Sequence, residues 1–154
     1  MPSSYRVERS TSVSASPSDV FTHLADYRNW GAWSPWDELD PNMTKTYTGE
    51  AGEVGSGYHW VGNRKVGEGR MTTSAISEPN NLEIDLQFIK PFKSQSTTMF
   101  TVEPQDDGSS VTWSMTGEHT LMSRVMGIFK SMDSMVGPDF EKGLARLKRV
   151  CEAD

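Results

Sequence analysis

The feature that most constrains this chain is a C-terminal stripe of apolar side chains. Leu121, Val125, Ile128, Phe129, Met132, Val136, Phe140, Leu147 and Val150 recur at helical intervals, mostly of three or four residues. That spacing predicts one face of a single long helix over about 121–151. The stretch before it, Leu82 to His119, reads as strands. A long helix with one apolar face needs a sheet to lie against. If the sheet curls around the helix, a cavity can form between them.

At 154 residues the chain is long enough for one domain with a sizeable core, expected over 3–153. The net charge of −6, from 15 basic and 21 acidic residues, argues against nucleic acid as a partner. The basic group Lys142, Arg146, Lys148 and Arg149 falls on the polar side of the last helix, near a C-terminus that favours cations. Cys151 is the only cysteine, so an internal disulfide and a thiolate metal cluster are both excluded. The N-terminus lacks the charged start and apolar run of a secretory signal. No run approaches the ~20 apolar residues of a membrane span. A cytoplasmic protein without a transmembrane segment is expected.

Residues 5–14 alternate as a strand, with Tyr5, Val7, Arg9, Thr11 and Val13 on one side. Ser16-Pro17-Ser18-Asp19 opens a short helix: Ser16 caps, Pro17 fits the first turn and Asp19 faces the positive end. A second short helix carries Trp30 and Trp33 and ends at Ser34-Pro35. Thr44 to Gly49 is a weak strand. The glycine-rich run 49–57 fails the dinucleotide fingerprint and lies between strands, so it reads as a turn. Tyr58 to Val61 and Lys65 to Ile76 form a hairpin across 62–64. Leu82, Ile84, Leu86 and Phe88 then alternate with polar residues, as in a strand with one wet face. Strands follow over 94–103, with Thr98, Phe100 and Val102 on one side, and at Val111, Trp113 and Met115. Pro138 beside Gly137 predicts a kink in the last helix.

Three groups of residues carry a family resemblance. They are Trp30-Gly-Ala-Trp33-Ser-Pro-Trp36, then Gly55-Ser-Gly57-Tyr-His-Trp60-Val-Gly62-Asn63, then Val66-Gly67-Glu68-Gly69-Arg70-Met71. With Met132-Asp133 and Gly137-Pro138-Asp139-Phe140-Glu141-Lys142-Gly143-Leu144, the chain resembles the polyketide cyclase/dehydrase-like branch of the SRPBCC (START-like) superfamily. The resemblance implies an α+β helix-grip fold. In it a curved antiparallel sheet of six to seven strands wraps a long C-terminal helix, with two short helices after the first strand. It also implies a hydrophobic cavity for lipid-, polyketide- or aromatic-like ligands, and it implies no particular reaction.

Aromatic and Met side chains are the candidates for lining such a cavity, since Met adapts to irregular apolar ligands. Trp33 and Trp36 are expected to form a wall near the mouth. Tyr58, Trp60, Phe88, Phe100, Trp113 and Met115 would line the sheet side, and Met132, Met135 and Val136 the helix side. Each buried indole N–H among them wants an acceptor. The alternative for each residue is plain core packing.

Catalysis has a thinner basis. Histidines 23, 59 and 119 stand on different elements without metal-ligand spacing, and no metal or cofactor is expected. Glu68 and Arg70 share one strand face, as do Asp85 and Gln87. Turned inward they could supply an acid–base pair, although their alternation with apolar neighbours favours the solvent side. Asp26, at the break between the short helices, and Asp133, beside the apolar stripe, are further candidate acids. Three readings stay open: a binder of a small hydrophobic molecule, a polyketide cyclase or dehydratase, and a protein-interaction module. A homodimer is compatible with each.

Overall fold

The computed structural model of the chain describes residues 4–64, 66–90, 93–118 and 132–153. Seven strands make one antiparallel sheet: β1 (Ser4–Val13), β2 (Thr44–Thr48), β3 (Gly57–Val61), β4 (Glu68–Ser77), β5 (Asn81–Lys90), β6 (Ser94–Gln105) and β7 (Gly108–Glu118). The order β1-β7-β6-β5-β4-β3-β2 pairs each strand from β2 to β7 with its successor, as short connections dictate. Strand β1 then pairs with β7, Val7 opposite Met115. The β4 strand starts at Glu68, three residues later than the alternation suggests. Gly62 donates to the Gly67 carbonyl at 2.9 Å, and Gly67 takes a left-handed φ of 62°, so a closed loop occupies the start of the expected strand.

Helix α1 (Pro17–Ala25) begins as its sequence predicts, with the Ser16 side chain accepting from the Asp19 amide at 3.2 Å. Its buried side is Val20, Phe21, Leu24 and Ala25. The second short helix is of 3-10 type, Tyr27–Ala32, with Trp33 as its C-terminal cap rather than a member. A further 3-10 turn, Asp37–Leu39, follows.

The C-terminal helix α2 is described over Met132–Ala153 and continues through Pro138. The part of the stripe from Leu121 to Phe129, with His119, Met122 and Met126, lies outside the described residues. Phe140, Leu144, Leu147 and Cys151 are buried at four-, three- and four-residue steps. Polar ties hold α2 along β1: Arg9 Nε donates to Glu141 at 2.8 Å, Lys148 to the Ser12 carbonyl at 3.0 Å, and the Ser14 amide to Glu152 at 2.8 Å. Two gaps in side-chain bulk let the helix seat closely. A Cβ on Gly137 would stand 2.3 Å from Arg9, and one on Gly143 would stand 2.8 Å from the Trp113 ring.

Register then arranges the inward side chains in rows across the sheet. Tyr47, Tyr58, Met71 and Leu86 form one row, and Thr98 and Met115 sit opposite each other in the next. Phe100 and Trp113 pair in a row beyond them.

Candidate functional site

Between the sheet, the early helical turns and α2 lies a cavity of about 220 Å³. Its floor comes from Tyr58, Trp60, Met71, Leu86, Phe88, Thr98, Trp113 and Met115 on the strands. Val136 and Phe140 of α2 close one side. Trp30, Ser34, Trp36, Asp37, Met43 and Val66 close the other from the loops. Phe88 at the rim is 37% exposed, so the hollow reaches the surface beside it.

Of the residues proposed from sequence, the structure brings Trp36, Tyr58, Trp60, Phe88, Trp113, Met115 and Val136 together on this wall. Trp33 and Phe100 do not line it. Both are fully buried behind it, in an aromatic cluster with Trp30 and Trp113. The Trp33 indole is turned away from the hollow because its N–H donates to the His23 carbonyl at 3.1 Å. The side chains of Met132, Met135 and Asp133 lie outside the described residues.

The candidate acids and bases are placed elsewhere. Glu68 sits on the outer sheet face, 2.8 Å from His59 Nε2, and Arg70 beside it is exposed. Tyr58 and His59 take opposite faces of β3, and the tyrosine is the inner one. Asp85 accepts from Gln95 at 3.0 Å on the outer face. Asp26 caps the first 3-10 helix, accepting from the Arg28 amide at 3.0 Å. Among the described residues no group of three or more His, Cys, Asp or Glu is placed to hold a metal ion.

Residues the sequence reading missed include Met71, Leu86, Thr98 and Phe140. The signal for Met71 and Leu86 was register: once Tyr58 faces inward, its partners across β4 and β5 must too. Asp37 carried no such signal, because only tertiary folding brings that turn over the sheet.

The wall is aromatic and locked by edge-to-face contacts. Trp113 stacks on Phe140 at 4.1 Å and 8°, and Trp36 meets Trp113 edge-on at 5.9 Å. Trp60 donates its N–H to the Val66 carbonyl at 2.9 Å and packs edge-on against Phe88. The Trp60 ring also covers Gly69, where an added Cβ would stand 2.3 Å from it, so this ring position requires a glycine opposite. The Trp113 N–H is buried without a hydrogen-bond partner among the described residues.

Two buried phenols pack together, Tyr58 in the wall and Tyr27 stacked on it at 6.1 Å. Burial raises the Tyr58 pKa well above its ordinary value, with the charges of Asp37 and Tyr47 adding to the effect. Tyr27 shares a 2.7 Å hydrogen bond with Thr73, and burial pushes its pKa up to about 12. A folded-state pKa raised above the unfolded value gives stability that is complete below pH 10 and is lost as pH climbs toward 12. The Tyr27 contribution to that loss is about 2 to 3 kcal/mol. Urea unfolding at a series of pH values should show stability falling in this window. The fall should be visibly flatter in Tyr27→Phe; an unchanged slope would contradict the assignment.

The family model described as "Polyketide cyclase / dehydrase and lipid transport" matches residues 4–152. The chain belongs to this family. Its seven-stranded sheet and gripped terminal helix are the helix-grip fold of SRPBCC proteins. Solved structures agree at the level of fold. A protein from Chromobacterium violaceum is 14% identical with a TM-score of 0.68, covering 100% of both chains. Ginseng major latex-like protein 151 from Panax ginseng is 18% identical with a TM-score of 0.63, covering 98% of this chain and 97% of its own. The Aha1 dimer from Colwellia psychrerythraea is 16% identical with a TM-score of 0.63, covering 96% of each chain. Comparison with curated proteins finds no match for this sequence. No helix among the described residues of this family member is long and apolar enough to cross a membrane.

Proposed function

We propose that this protein binds a small hydrophobic molecule in the cavity over β3 to β7. The observation that carries the reading is the wall itself: about 220 Å³ of space lined by Trp30, Trp36, Trp60, Phe88, Trp113 and Phe140. A well-formed apolar hollow with few convergent polar groups is the usual form of a small-molecule site. An interior meant only for stability would be filled to native density. Glu68, Arg70 and Asp26 stand away from the wall and supply no acid–base pair to it; the one carboxylate among the described lining residues, Asp37, is tied to Lys45.

The test uses the tryptophans already in the wall. Naphthalene titrated into the protein should quench their fluorescence saturably, with a Kd on the order of 10 μM. Native mass spectrometry of freshly purified protein should retain a bound small molecule. Linear, unsaturable quenching together with no retained molecule would overturn the reading.

A further inference from the structure

Among the described residues that line the cavity, one carries a carboxylate. Asp37, at the start of the 3-10 turn after Trp36, lines the wall with its side chain 16% exposed. Its Oδ2 accepts from Lys45 Nζ on β2. Its Oδ1 has no hydrogen-bond partner among the described residues. The Tyr58 phenol is close enough to feel the Asp37 charge. Asp37 Oδ1 is not among the fully buried polar atoms left without a partner, so it stays accessible, and a ligand hydroxyl that reaches it would form a charge-assisted hydrogen bond there. The adjacent Lys45 ammonium would repel a cationic donor. A neutral O–H meets no such repulsion.

Size narrows the ligand further. A dry cavity of about 150 Å³ holds one benzene ring. This one, at about 220 Å³, is half as large again. It suits one or two fused rings. Flat rings also match the edge-to-face geometry of Trp36, Trp113 and Phe140.

We infer that Asp37 is a specificity-determining residue. It selects a neutral one- or two-ring aromatic molecule whose hydroxyl donates to Asp37 Oδ1 while the rings lie between Trp36, Trp113 and Trp60. This rests on the binding reading above. The competing role for Asp37 is purely structural, tying its turn to β2 through Lys45.

Calorimetric titration of the full chain at pH 7 with 2-naphthol, 2-methoxynaphthalene and naphthalene separates the two. The methoxy compound keeps the oxygen and loses the donor. Expected is 2-naphthol binding at least tenfold tighter than both others, which agree within threefold. In Asp37→Asn the naphthol advantage should fall about tenfold while naphthalene binding stays within threefold. In Lys45→Met, which keeps the carboxylate, naphthol should remain preferred. Equal binding of the three compounds by the unmodified protein would overturn the role of Asp37 and leave the cavity reading standing. Binding of none would overturn both. Should Asp37→Asn fail to fold, the three-ligand comparison on the unmodified protein still decides.

Discussion

Phe140→Ala is expected to lower the free energy of unfolding by about 4 kcal/mol. Phe140 is 1% exposed and is the α2 side chain that meets the aromatic wall. Its ring lies flat on Trp113 at 4.1 Å and takes the edge of Trp36 at 6.4 Å. Truncation removes the buried ring and adds void to a region that already contains a hollow, so little collapse can compensate. For a chain of this size the loss should appear as a fall in Tm of roughly 8 to 16 °C. Near-ultraviolet circular dichroism should change as well, because Trp113 loses its stacking partner. Leu39→Ala, at a residue 38% exposed, is the comparison and should stay within about 0.5 kcal/mol. A Phe140→Ala protein as stable as that control would show that the helix does not anchor the wall.

Most of the architecture could be read from period and punctuation. The alternation Leu82, Ile84, Leu86 survives as a buried face because β5 has one side on the core, where each apolar side chain is stabilised by loss of water. Ser16 caps α1 because its side chain is an acceptor placed three residues before an orphan amide. The misread boundaries share another cause. Trp33 ends up outside its helix, and β4 starts late at Glu68, because hydrogen bonds between loop backbones decide those positions. Such bonds leave no periodic trace in the sequence.

The site was less legible than the fold, and the reason is geometric. Period fixes which face of a strand a residue takes, so Tyr58, Trp60, Trp113 and Met115 could be placed inward once the strands were found. Period does not fix which inward residues border space and which are buried behind them. Phe100 and Trp113 face each other across β6 and β7, yet only Trp113 lines the cavity. Trp30 and Trp33 cover the Phe100 ring edge-on. That difference is set by the early helical turns, whose seat on the sheet depends on the whole assembly. Asp37 is the extreme instance, a polar residue in an irregular segment delivered to the wall by Lys45 on another element.

Leu86→Trp is expected to weaken naphthalene binding at least a hundredfold while leaving the protein folded. Leu86 stands mid-sheet on β5, opposite Met71 on one side and Ser96 on the other, with its side chain forming part of the cavity floor. An indole at that position extends from the cavity floor into the space that a bound ligand would occupy. A hundredfold loss corresponds to about 2.7 kcal/mol, the scale of burying one ring's apolar surface. Overpacking in a filled core costs about 1 to 3 kcal/mol, but here the added ring enters space already present, so the melting temperature should hold or rise. Leu86→Met conserves volume and should bind naphthalene within threefold of the unmodified protein. Fluorescence titration of the three proteins measures this directly. Undiminished binding by a folded Leu86→Trp protein would place the bound molecule elsewhere and break the connection between this hollow and the function proposed for it.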